Sequence, residues 1–399
     1  MSNWFCDPMP NEVPFEDIEK REDEFHHWKV EPIDLVESGY EGVIDKLKTY
    51  TADKYEALDD EGKEKMVDEV LAIYRDVDVF PIQYFSDAGG MNEISKCIAY
   101  PAKFDGNVVS CGAGVGTVVC NYLFPNLFDV PSQHDLTKEK AGAETAYLKF
   151  KSDEFLRRSI KFCFSYKNGC PVPTNVMGGL RLVGSTPTNF RPMNAKAIYE
   201  RFAPKGGTVY DYCTGFGGRL LGCLSSKNNY RYVGTDPNTE TMYNLHRLGD
   251  YIEMVTGRED SYELHCCGSE EFRGPANSVD FAFSSPPYFD LEVYSDEPTQ
   301  CFNKFPVLED WLEGYVRGTI KNIYYMLKPG CCYAVNIADF KVRGGKEVAY
   351  VDEWIRISTE EGMPLYDTVY LGVTARAGTK LQAAGELKKE NILIFKKPL

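Results

Sequence analysis

From Gly207 to the end of the chain, apolar runs of strand length alternate with runs of helical period, and that order admits few architectures. "GTVYDYC" reads as a strand, a Gly-rich turn follows, then "RLLGCLSS" as helix and "YRYVGTD" as strand. "TETMYNLHRLGDYIEMV" is helix, "YELHCC" and "VDFAFSS" are strands, "LEDWLEGYVRGTIKNIYYML" is helix and "CYAVNIAD" a strand. Such alternation predicts an α/β domain, doubly wound around a mostly parallel sheet. At the end, "YDTVYLGV" and "NILIFKK" have no long helix between them, which predicts an antiparallel hairpin at one sheet edge.

The 399 residues, 43% hydrophobic and 13% aromatic, suit two domains better than one core. Gly, Ser, Thr and Pro cluster at 183–192, ahead of the helical "MNAKAIYERFAP", so the boundary falls between residues 188 and 189. Residues 1–188 then form an α-rich amino-terminal domain, in which 41–80 predicts two amphipathic helices. No internal repeat or low-complexity tract interrupts either part.

Net charge is −16, which argues against a polyanionic partner until its distribution is seen. Residues 1–100 hold 25 acidic and 10 basic side chains, nearly the whole imbalance. Residues 101–200 hold 8 acidic and 12 basic, so Lys149, Lys151, Arg157, Arg158, Lys161, Lys167 and Arg181 could form a positive face or an ordinary solvated one. Thirteen cysteines without a C-x-x-C spacing, and histidines paired only as His26-His27, predict neither a metal site nor a disulfide framework. No leader-like or membrane-length apolar run is apparent, which predicts a soluble, cytoplasmic protein.

Three features fall at successive strand ends. Asp211-Tyr212-Cys213-Thr214-Gly215-Phe216-Gly217-Gly218 joins the first strand to its helix, where a ligand or mere packing would ask for glycine. Leu220 stands where a dinucleotide loop would need its third Gly. Asp236, before Pro237, ends the second strand and could hold a ribose diol or cap the next helix. Ser285-Pro286-Pro287-Tyr288 ends the fourth strand in a stiff turn, since proline fixes φ and cannot donate to the ladder. A further run, Gly112-x-Gly114-x-Gly116, reads as a packed turn.

In this order the features resemble the S-adenosylmethionine-dependent amino-methyltransferases that modify N6 of adenine or N4 of cytosine in DNA, as in restriction-modification systems. The resemblance covers residues 189–399 and implies a Rossmann-like class I methyltransferase domain. It implies a cofactor site from Phe190, Arg191 and Pro192 of "NFRP", from Asp211, Tyr212, Cys213, Gly215 and Gly217, and from Asp236 with Pro237. It also implies a catalytic turn of Ser285, Pro286, Pro287 and Tyr288, in which Ser285 Oγ and the Pro286 carbonyl accept the amino hydrogens and Tyr288 stacks on the base. Short segments after Tyr288 and after Asp339 leave no room for a large recognition insert, so residues 1–188 are expected to recognise the substrate. The target base stays open. RNA bases and protein amides are alternative acceptors, and an idle binder whose acidic start imitates DNA is a reading of another class.

Overall fold

The computed structural model describes residues 11–25, 40–112, 114–131, 145–184, 187–342, 345–374 and 387–399. They divide into two compact units, and the division does not follow the chain. One unit joins Met1–Glu22, Met91–Phe124 and Asn189–Leu399; the other joins Asp23–Gly90 and Pro125–Thr188. The expected boundary at 188/189 is therefore one crossing among several, and residues 1–22 and 91–124 group with the carboxy-terminal half rather than with an amino-terminal domain.

The first unit is built on a nine-stranded sheet. In chain order its strands are β1 (Phe104–Asp105), β2 (Val108–Val109), β3 (Thr208–Asp211), β4 (Arg231–Thr235), β5 (Tyr262–His265), β6 (Val279–Ser284) and β7 (Leu327–Ile337). The short pair β8 (Phe340–Lys341) and β9 (Glu347–Val348) stands apart, and β10 (Leu365–Thr374) and β11 (Leu387–Lys396) complete the sheet. The spatial order is β1-β2-β10-β11-β7-β6-β3-β4-β5. β5, β4, β3, β6 and β7 run parallel, while β11 lies antiparallel to both β7 and β10. This is the doubly wound, Rossmann-like sheet that the sequence predicts, and the antiparallel hairpin β10-β11 forms, but not at the expected edge: β2 pairs in parallel with β10, and β1 is the outermost strand on that side.

Its central strands read as continuous apolar runs because helices cover both faces. Val209, Tyr210, Phe281, Ala282, Phe283, Tyr333, Ala334 and Val335 are all buried. The helix Pro192–Phe202 begins one residue ahead of the predicted segment, on Pro192, and Ala203 caps it just before Pro204. The predicted helix over 308–327 is in fact three pieces: Leu308–Trp311, a π-helical turn Leu312–Val316 and Arg317–Met326.

The second unit is helical. Tyr40–Lys48, Ala52–Glu56 and Asp60–Val77 replace the two helices expected over 41–80, because Thr51 and Asp59 each cap a new start. Ala146–Lys151, Asp153–Cys163 and Pro173–Gly184 follow. Among the described residues no helix is long and apolar enough to cross a membrane.

Candidate functional site

In an open parallel sheet the carboxyl ends of the strands carry the ligand crevice, because their loops diverge there. β6, β3, β4 and β5 are neighbours in that order, so the turns after them form one continuous rim. Two bonds knit it together: Gly215 N–H donates to Asp236 Oδ2 at 2.9 Å, and Ser284 Oγ donates to Cys213 O at 3.1 Å. The glycine loop, the acid and the Ser-Pro-Pro-Tyr turn thus share one edge.

The loop after β3 is set by a buried ion pair. Asp211 is 0% exposed; its Oδ2 accepts Arg219 Nε at 2.8 Å and Tyr232 Oη at 2.7 Å. Arg219 also donates to Cys213 O, which fixes the turn from the first helical residues beyond it. Asp211 thus departs from its expected part as an open cofactor contact: its carboxylate is committed to shaping the loop. Tyr212 and Cys213 depart likewise. Tyr212 points into the core and donates to Ala334 O at 2.8 Å, while Cys213 Sγ meets Tyr315 Oη at 3.0 Å, and burial pushes its thiol pKa up.

The glycines divide by purpose. Gly215, at φ +54°, could carry a Cβ without a clash, its nearest neighbour there being Arg219 Nη2 at 3.8 Å. That leaves a cradle for a ligand beside half-buried backbone. A Cβ on Gly217 would come within 2.6 Å of both Leu248 and Phe124, so packing rather than ligand contact requires this glycine. Gly116, in the earlier glycine run, is likewise closed by packing, with Cys97 Sγ 2.8 Å from where its Cβ would be.

"NFRP" lies against this loop. Asn189 Nδ2 donates to Phe216 O, and Phe190 O sits where a Cβ on Gly218 would be. The Phe190 ring packs 5.5 Å from Phe283 and 5.6 Å from the Arg219 guanidinium. Arg191 caps the following helix and is half-buried, and Pro192 is buried.

Asp236 is half-buried at the end of β4. Burial raises its pKa to about 6 against the Gly215 and Asn238 N–H groups, which favour the ionised form. The Thr214 hydroxyl also donates to Oδ2, at 3.4 Å, and since a carboxylate has about four acceptor positions, one remains for a further donor. The cap of the helix Thr239–Thr256 is Asn238, whose Oδ1 accepts Thr241 N–H at 2.9 Å. Asp236 is therefore not needed for that task.

After β6, Pro286 is buried and Pro287 half-buried, and Ser285 Oγ donates to Asn336 O at 3.4 Å. That bond uses the hydroxyl proton and leaves the oxygen lone pairs to accept. Tyr288 is held rather than loose: Ala338 N–H donates to its hydroxyl at 3.0 Å, and Phe340 and Tyr350 pack against its ring at 5.4 and 5.7 Å. Phe289 then turns the chain at φ +23°, an uncommon conformation for an aromatic residue, clamped by Phe302 and Trp311.

Several side chains at this rim carry no local signal in the sequence. Glu292, 8% exposed, accepts Tyr288 N–H at 3.3 Å, and Tyr294 packs 5.8 Å from Phe216. Glu297 accepts Thr239 N–H at 3.1 Å, and Thr299 Oγ1 donates to Pro237 O at 3.2 Å, so the loop after the Tyr288 turn is fastened to the end of β4. Arg219 follows the glycines by one residue, and only its proximity to an acid-ended strand could have flagged it.

The basic cluster of the helical unit is largely consumed internally. Lys151 pairs with Asp78 at 2.6 Å, Lys161 with Glu64 at 2.5 Å, Arg157 with Glu64 and Asp68, and Arg158 with Glu154 at 3.9 Å. Lys149 is buried, Arg181 lies 5.5 Å from the Phe128 ring, and Lys167 is exposed. Most of its charge thus meets carboxylates of its own unit. Among the described residues no group of His, Cys, Asp or Glu could hold a metal ion, and His26-His27 lie outside them.

No protein-family model matches the chain, and no curated protein matches it. Solved structures resemble it over about half its length. The [4+2]-cyclase SpnF covers 52% of this chain and 82% of its own, at 15% identity and a TM-score of 0.36. A 1,6-didemethyltoxoflavin-N1-methyltransferase from Burkholderia thailandensis, solved with its substrate and S-adenosylhomocysteine, covers 51% and 77% at 11% identity and 0.34. TrmN from Thermus thermophilus covers 52% and 48% at 13% identity and 0.33.

Proposed function

We propose that this chain transfers a methyl group from S-adenosylmethionine to the exocyclic amino nitrogen of a DNA base, N6 of adenine or N4 of cytosine. The observation that carries the reading is the convergence of three strand ends: the Gly215 cradle, the Asp236 carboxylate with acceptor capacity left, and a Ser285 oxygen with its proton turned away. The first two fit a nucleoside with a ribose diol, and Phe190, Arg191 and Pro192 would close the methionine end. When bound, the cofactor supplies an electrophilic methyl group on a sulfonium.

An exocyclic amino group is a weak nucleophile because its lone pair is delocalised into the ring. Ser285 Oγ and the Pro286 carbonyl would accept its two hydrogens, drawing the nitrogen towards tetrahedral geometry and freeing the lone pair. Tyr288, held by Ala338, Phe340 and Tyr350, would present a fixed ring face to the base. Acceleration then comes from orientation and from dipoles already in place. A duplex base would first have to leave the stack.

The ion-paired state of the basic cluster favours a second reading, in which the acceptor is a protein amide that needs no phosphate contacts; an RNA base is the other acceptor open. Labelled S-adenosylmethionine offered to DNA, RNA and protein in parallel, with Ser285→Ala as control, tests both. Label recovered as N6-methyladenine or N4-methylcytosine from DNA is the expected result. Label in protein alone moves the assignment to the second reading, label in RNA alone moves it to an RNA base, and no transfer to any of them refutes them all.

A further inference from the structure

The order of the strand ends dictates where the base of the bound cofactor must point. Its methyl group has to face Ser285 at the end of β6 and its ribose Asp236 at the end of β4, with β3 and the glycine loop between them. The adenine then projects away from β6, over the end of β5. There the two strand ends are joined: Asp236 N–H donates to His265 O at 3.3 Å, and Cys266 Sγ approaches Pro237 O at 3.9 Å.

What covers this end comes from the start of the chain. Val13 N–H donates to Cys266 O at 3.1 Å in an antiparallel bridge, and Asn11 Nδ2 donates to Glu271 Oε1 at 2.7 Å. Glu12 Oε1 lies 2.8 Å from His265 Nδ1, and His265 Nε2 lies 3.1 Å from Glu263 Oε1. The short helix Phe15–Glu19 buries Ile18 and packs the Phe15 ring, tilted by 36°, against His246 at 3.9 Å. Arg21 then reaches Thr239 Oγ1 at 3.3 Å and Glu297 Oε1 at 3.8 Å, three residues past Asp236. The segment therefore bridges the β5 end and the turn that carries the ribose-facing acid.

We infer that residues 11–22 wall the adenine end of the cofactor site, with Glu12 and His265 as its positioning residues. The inference rests on the cofactor reading above, and it assigns the first part of the chain to the cofactor rather than to the acceptor. Glu12 fixes the imidazole from one side and Glu263 from the other, so the β5 end keeps one geometry beneath the base. Val13 holds the same strand end through its backbone.

Calorimetric titration of the full chain with S-adenosylhomocysteine and with S-ribosylhomocysteine, which lacks the base, tests this. Glu12→Gln removes the charge and Val13→Pro removes the bridging N–H. Each is expected to weaken S-adenosylhomocysteine binding by about tenfold, the scale of one lost charge-assisted or buried bond, and to leave S-ribosylhomocysteine binding as in the unaltered chain. Unchanged affinity for S-adenosylhomocysteine in both variants, or equal weakening of the two ligands, overturns the inference and leaves the segment a support of the fold. Failure of the unaltered chain to bind S-adenosylhomocysteine overturns the cofactor reading itself, and the inference with it.

Discussion

Burial lifts Asp236 to about 6, so in the folded chain its ionised form is held against a desolvation cost that the unfolded chain does not carry. A carboxyl group whose folded pKa is raised contributes most stability below its unfolded value and loses it as pH rises through the folded one. Asp236→Asn should therefore raise the melting midpoint of the unliganded chain at pH 7, by about 1 °C if a kilocalorie is recovered. It should also weaken S-adenosylhomocysteine, since a carboxamide accepts fewer hydrogen bonds. Affinity in the unaltered chain should fall as pH drops below about 6, where the acid binds a proton that the diol must displace, and Asp236→Asn should show no such fall. Calorimetry between pH 5 and 8 reads both effects. Asp236 and Ser285 could be found in the sequence because each ends an apolar run. Arg219, Glu292 and Glu297 could not, because their partners Asp211, Tyr288 and Thr239 lie 4 to 58 residues away and no periodicity links them.

The helix Gly218–Leu224 runs so close to the "NFRP" segment that a Cβ at Gly218 would stand 2.0 Å from Phe190 O. Gly218→Ala should therefore push that segment off the cofactor loop and cost about 2 kcal/mol or more, read by urea unfolding. Gly215→Ala, which meets no clash and has only its φ of +54° against it, should cost about 1 kcal/mol. Elements that combine a clean period with flanking turn residues are legible, and the antiparallel hairpin β10-β11 is the best case, although β2 takes its outer side. The helix Tyr350–Glu360 was not read at all, although Tyr350, Trp354 and Ile357 recur at helical spacing on its buried side. It follows β8 and β9 in the stretch after Asp339, whose shortness argues only against a large recognition insert and not against a helix.

At the scale of the molecule, the interleaving of two units decides what can be separated. A fragment of residues 189–399 would strip Lys196, which is buried, of the three carbonyls of Cys97, Ile98 and Tyr100 that accept from it. It would also remove Cys111 N–H from Asn194 and Phe124 from Gly217. Leaving such a cation unpartnered costs about 3–5 kcal/mol, so the fragment should lack the cooperative thermal transition of the full chain, as near-ultraviolet circular dichroism would show. The boundary at 188/189 was visible as a cluster of turn residues, whereas the return of 91–124 to the sheet is a long-range fact that no local composition reports. A global pH effect follows from His265. Burial alone would lower its pKa, but the Glu12 and Glu263 carboxylates overcome this and raise it to about 9. Its contribution to stability should be complete below about 6.5 and lost as pH rises through 9, and a melting series across that range in the unaltered chain and in His265→Gln should show the difference.

Glu12 and His265 are 253 residues apart, and that separation has a meaning during synthesis. At about 5–20 residues per second, the ribosome releases the first segment roughly 10–50 s before the strand it must meet exists. Through that interval Phe15 lacks the helix Thr239–Thr256 against which it packs through His246. The nucleoside pocket inferred above would thus be finished by an earlier-made segment closing on a later-made one, which makes competence to bind cofactor a late event in the life of the nascent chain.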